Sequence, residues 1–321
     1  MILRSFASNL PYTLSFPIVI VIAVYLIPDP ASIPFMMAGY SSEYLMPASN
    51  GWAVTANILL ILAGGFMANR LFNQNEFMNT PVYTPALLYT IVMTTTGMIQ
   101  THIPTGLANI LIIAGMGYQL KIFKQPSIIH EAVTCGFLYG SAALIVPSLL
   151  TLLPAVLIGI LINRPFHVRE IVLTVLAFAI PFGYWAAIAY LVQEQPDYIL
   201  IQKTLTLNAS QYLITLPWPV KVFALLLFVS LILALRQFTK SERNSNRAKS
   251  TRTTTVLMAL AVVTSFFLNS VLTGQWVLQS IAFPVSFIIA YWFAHYRNSV
   301  LAPFFFYAIC LVSFLLSFRL L

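Results

Sequence analysis

Apolar residues run along this chain in long unbroken blocks, parted by short clusters of proline, asparagine and charged residues. A membrane-spanning helix needs about 20 predominantly apolar residues, within a range of about 17–25. Blocks of that kind fall at 11–28, 52–69, 83–101, 105–120, 131–146, 148–163, 171–192, 217–235, 254–270, 276–294 and 300–318, which predicts about eleven spans. The fifth and sixth are short and meet at Pro147. That pair reads either as a hairpin that stops short of a full crossing or as one long bent helix, and the second choice would move the carboxyl terminus to the other side.

Composition agrees with the pattern. Of the 321 residues 60% are apolar and 7% charged, against about 25% charged in soluble domains. A water-soluble globule of this size would have almost nothing for its surface. The expected fold is all-α: one polytopic transmembrane bundle over 1–321, with no segment polar enough to fold separately in water. Cys135 and Cys310 lie inside apolar blocks, so they do not form a disulfide framework. Pro28, Asp29 and Pro30 follow the first block where a cleavable signal would carry small residues.

The net charge of +8 does not point to nucleic acid, because the basic residues sit at the ends of the apolar blocks. With the amino terminus cytoplasmic, thirteen of the sixteen lie inside: Arg4, Arg70, Lys121, Lys124, Arg164, Arg169, Arg297 and six between Arg236 and Arg252. Only Lys203, Lys221 and Arg319 lie outside. This is the positive-inside distribution, and it predicts a multi-pass protein of the cell inner membrane with its carboxyl terminus outside. The basic stretch 236–253 then reads as an exposed cytoplasmic loop, able to touch anionic membrane lipid or to dock a cytoplasmic partner.

Two outer segments, 29–50 and 193–216, are longer than the other outer connections. All eight acids, Asp29, Glu43, Glu76, Glu131, Glu170, Glu194, Asp197 and Glu242, fall in loops or near block ends. The absence of a carboxylate at mid-membrane argues against proton-coupled transport. Asn57, Asn109, Thr94, Thr95, Thr96 and Gln100 lie within or beside the blocks, where they either line a path for a neutral solute or bond neighbouring helices. His130, His167 and His295 share the inner side without ligand-like spacing, so no metal site is expected. On the outer side Asp29, Glu43, His102, Asp197, Lys203 and Lys221 form a set able to deprotonate a hydroxyl and hold a phosphate.

The stretches Ala68–Phe77 (ANRLFNQNEF), Cys135–Leu150 (CGFLYGSAALIVPSLL) and Ile162–Glu170 (INRPFHVRE) resemble an uncharacterised family of polytopic membrane proteins from Bacteroidota, over roughly residues 1–190. A wider resemblance is to polytopic GT-C type glycosyltransferases. Those enzymes have a cytoplasmic amino terminus and enlarged outer loops after the first and seventh spans, where 29–50 and 193–216 fall here. The resemblance implies a polyprenyl-phosphate-linked sugar as donor in envelope glycan assembly. It also implies a catalytic acid just after the first span, a position matched by Asp29 and secondarily by Glu43, with His102, Lys203, Lys221 and Asp197 on the phosphate and substrate. The first loop is short for that family, and no paired Asp-Glu follows the first helix. A non-enzymatic scaffold or envelope-complex subunit and a lipid or small-solute transporter are the alternatives.

Overall fold

The structure is a computed structural model and describes residues 15–26, 51–75, 77–78, 81–95, 103–123, 128–163, 168–191, 218–240, 246–273, 282–295 and 301–317. Every regular element among them is helical. In chain order these are α1 Ser15–Leu26, α2 Gly51–Gln74, α3 Thr84–Thr95, α4 Ile103–Lys121, α5 Ile129–Ile145, a 3₁₀ turn Pro147–Thr151, α6 Leu152–Asn163, α7 Val168–Leu191, α8 Trp218–Lys240, α9 Asn246–Thr273, α10 Ala282–His295 and α11 Leu301–Ser317. Each apolar block therefore carries a helix. Four of them, α2, α4, α7 and α8, contain stretches of 18–21 residues long and apolar enough to cross a membrane.

Neighbouring contacts give the direction of each helix. Asn73 at the end of α2 exchanges two hydrogen bonds of 3.0 Å with the backbone of Val82 just before α3, so these helices are antiparallel. Gly106 and Gly117 of α4 meet Leu60 and Leu71 of α2 in the same order, so α4 runs parallel to α2. Antiparallel to α4 lies α5, with Tyr118 against His130 and Gly115 against Tyr139. In turn α7 runs parallel to α5, because Gly136 and Gly140 lie on the carbonyls of Thr174 and Phe178. Lacking a Cβ, the two glycines let the α7 backbone come this close, in the small-xxx-small manner of membrane helices.

The junction at Pro147 is a reversal, so the bent-helix alternative falls. Val146 is extended, at φ −125° and ψ 96°, because proline disfavours the helical conformation in the residue before it. From there α6 returns antiparallel to α9: Thr151 Oγ1 donates to Ala261 O at 2.9 Å, Ser265 Oγ donates to Ser148 Oγ at 3.0 Å, and Asn163 bonds Ser250. With 17 and 12 residues, α5 and α6 both fall short of a full span of about 20.

At the centre stand α3 and α10, packed on each other and buried on every side from Thr84 to Thr95 and from Ala282 to Ala294. A helix that is apolar all round belongs in such a position. Phe77 closes one end of the bundle against Phe72, Phe238 and Phe287, and Phe238 packs edge-on to Tyr291. At the periphery α7 turns Val168, Val172, Leu176, Ile180 and Ile188 outward. Those side chains need an apolar surrounding.

The basic stretch 236–253 differs from its expectation as an exposed loop. Residues 236–240 complete α8, and 246–253 are the first two turns of α9. There Thr253 and Thr255 donate to the carbonyls four residues back, at 2.9 and 2.8 Å. This back-bonding satisfies the hydroxyls inside the helix, so a serine- and threonine-rich sequence continues as helix. Ser250, Thr251 and Arg252 are buried. Arg252 is 7% exposed, and its guanidinium stands 5.9 Å from the centre of the Tyr291 ring.

Candidate functional site

Of the six residues singled out for chemistry, Asp29, Glu43, His102, Asp197 and Lys203 lie outside the described residues. Lys221 is described: it stands half-buried in the first turn of α8. The helix ends locate the face to which the others attach. The aromatic cluster around Phe77 and the Arg252–Tyr291 contact mark one end of the bundle. There α2, α4, α6, α8 and α10 finish, and α3, α5, α7, α9 and α11 start. Arg70, Lys121, Arg169, Arg236, Lys249 and Arg252 all belong to this end. At the opposite end α2 and α8 begin and α7 finishes, so the segments 29–50 and 193–216 both join helix ends there, beside Lys221.

That opposite end also carries exposed aromatics: Tyr184, Trp185, Tyr190 at 83% and Trp218 at 75% exposure. Tyrosine and tryptophan collect at membrane–water boundaries, where an apolar ring body meets a polar tip. Arg169 and Tyr190 stand at the two ends of α7, about 32 Å apart at 1.5 Å per residue. That separation matches a hydrocarbon core of about 30 Å.

Inside the bundle the structure assembles a polar seam that the sequence pattern did not single out. The Tyr139 hydroxyl of α5 donates to Gln119 Oε1 of α4 at 2.9 Å. Gln119 is fully buried, and its Nε2, which has no hydrogen-bond partner among the described residues, lies directly on the Cα face of Gly159 in α6. Asn163 Nδ2 donates to Gly159 O at 2.8 Å and to Thr254 Oγ1 of α9 at 3.4 Å, while Ser250 donates to Asn163 Oδ1. The seam joins α4, α5, α6 and α9 through neutral amides and hydroxyls. Without a carboxylate, imidazole or amine, it is suited to holding helices together rather than to moving protons. One local signal was available: Gly159 and Asn163, like Ser250 and Thr254, are four residues apart and so share a helix face.

The residues considered for a solute path are engaged in packing where they are described. Thr94 donates to the carbonyl of Thr90, four residues back, at 2.8 Å. Thr95 bonds Ser313 of α11 at 2.5 Å, and Asn109 Nδ2 donates to Met93 Sδ at 3.6 Å. Asn57 is buried in α2 beside Gly106. Thr96 and Gln100 lie outside the described residues. Of the histidines considered for a metal, His130 is exposed at the start of α5, and His167 is outside the described residues.

Helices long and apolar enough to cross a bilayer, a basic end, an aromatic end and apolar residues facing outward together define the class: an all-helical membrane protein. No family model, curated protein or solved structure matches the chain.

Proposed function

We propose that the chain is a multi-pass protein of the cell inner membrane, with about eleven spans, a cytoplasmic amino terminus and an outer carboxyl terminus. In this reading it acts at its outer face as a GT-C-like transferase, drawing on a polyprenyl-phosphate-linked sugar for envelope glycan assembly. One observation carries the proposal: the helix ends that receive 29–50 and 193–216 share one face with Lys221, opposite the basic end. Asp29, or Glu43 in its place, takes the proton from an acceptor hydroxyl. The acceptor oxygen attacks the anomeric carbon, and the bond from that carbon to the phosphate oxygen breaks. His102, Lys203 and Lys221 hold the departing phosphate, Asp197 orients the substrate, and the lipid tail stays beside the spans. The Bacteroidota resemblance over 1–190 fits a bacterial envelope role.

Asp29→Asn and Glu43→Gln test this. A general base contributes about 10²–10⁴-fold to rate, so at least one variant, made at wild-type level, should lose surface glycan about 100-fold or more. Wild-type glycan in both variants removes the transferase and leaves a membrane scaffold, a reading favoured by the basic face with its exposed Arg70, Arg169 and Lys249.

A further inference from the structure

The seam between α4 and α5 at the basic end has features that neither packing nor the outer-face reading uses. The Lys121 ammonium lies over the Tyr118 ring, 5.0 Å from its centre. On the same ring His130 packs edge-on at 6.1 Å, with the two planes at 85°. Lys121 and His130 are both exposed. Two hydrogen-bond donors from different helices are thus gathered round one half-buried aromatic platform, and the lysine is held against the ring instead of swinging free. The last turn of α4 favours a cation, because its carbonyls carry the negative end of the helix dipole.

What lies above this cluster is apolar. On α4, Lys121 and Tyr118 continue a face through Leu111 to Leu107, at intervals of three, seven and four residues, and Leu107 is exposed. On α5, His130 continues seven residues on to the exposed Phe137. Helical periodicity of 3.6 residues keeps each series on one side of its helix. The outward surface is therefore amphipathic along the bundle axis, with donors at the basic end and greasy side chains toward the middle. A soluble anion would use only the first half of it. A molecule with an anionic head and an acyl chain uses both.

We propose that the α4–α5 seam is a binding site for an anionic phospholipid of the surrounding bilayer. A phosphate oxygen of the headgroup accepts from Lys121 Nζ and another from the His130 ring N–H. Tyr118 lies beneath the headgroup, and one acyl chain lies along Leu111, Leu107 and Phe137. The inference rests only on the placement of the bundle in a membrane and is independent of any chemistry at the opposite face.

The test uses the full chain purified in neutral detergent, with thermal unfolding and retained lipid as readouts. Phosphatidylglycerol should raise the unfolding temperature and be retained by the protein, while phosphatidylcholine and inorganic phosphate should not match it. The attraction of one basic residue for an anionic headgroup corresponds to about fivefold in affinity. Lys121→Ala with His130→Ala should therefore weaken phosphatidylglycerol retention by more than about fivefold, and Lys249→Ala, a basic residue at the same end outside the seam, should not. Lys121→Arg should keep binding, which separates loss of the cation from loss of fold. Equal effects of phosphatidylglycerol and phosphatidylcholine, an equal shift by phosphate alone, or undiminished retention in the correctly folded double variant would overturn the proposal.

Discussion

Gly140 of α5 and Gly183 of α7 lie on two helices that pack on each other, and they differ in everything but their name. A Cβ on Gly140 would overlap the Phe178 carbonyl oxygen of α7, which is backbone and cannot rotate away. A Cβ on Gly183 meets nothing within 4 Å. Gly140→Ala should therefore lower stability by about 1–3 kcal/mol, the usual cost of overpacking. Gly183→Ala should be neutral or add up to about 1 kcal/mol through helix propensity. Thermal unfolding of the purified variants checks both, and equal behaviour would contradict the α5–α7 contact. From the sequence the two positions are indistinguishable, since both are glycines inside apolar blocks. Gln119 poses the same problem. It reads as the polar end of a span, and only the approach of Tyr139 and Gly159 shows that it is fully buried.

At the scale of elements the largest departure is at the start of α9. The stretch 240–253 (KSERNSNRAKSTRT) has the composition of a solvated loop. Thr253 donates back to the Lys249 carbonyl of its own helix, while the buried Ser250 and Arg252 face α6 and α10. Two neighbouring cations should then respond differently. Lys249 is exposed, and its replacement by alanine should change stability by no more than about 0.5 kcal/mol. Arg252→Ala removes a buried cation that lies over the Tyr291 ring and should cost roughly 2 kcal/mol. Similar small effects at both positions in a denaturation series would restore the exposed loop. The turn at Pro147 was legible beforehand, because proline constrains its predecessor wherever it occurs. Whether it bent one helix or reversed the chain depended on where Thr151 and Asn163 found partners.

For the whole molecule, the separation of a basic end from an aromatic end predicts its placement in the bilayer. Single cysteines at Lys121 and Lys249 should be shielded from a membrane-impermeant thiol reagent in intact cells and become reactive after permeabilisation, with Cys135 and Cys310 replaced beforehand. Cysteines at Tyr190 and Trp218, both strongly exposed, should react without permeabilisation. The reverse pattern would invert the molecule and move the proposed chemistry to the cytoplasm. Labelling of both groups from one side would remove the membrane-spanning arrangement itself.

Membrane class, helical content and the approximate place of each helix, the start of α9 excepted, follow from the sequence alone. Burying backbone amides in an apolar medium leaves helix as the local solution for a long apolar run, and no distant residue is needed to decide it. The ends of the runs carry their own signals in charge and proline. Pairing is another matter. In a chain this apolar, hydropathy scarcely distinguishes a face that meets lipid from one that meets another helix, so α3 and α10 look no more central than α7 or α11. Only the packed structure decided that α5 rests on α7 through two glycines, that α6 turns back along α9, and that Lys121 and His130 share a single tyrosine ring. Those choices depend on shape and on hydrogen bonds between residues far apart in the chain, which local composition does not encode.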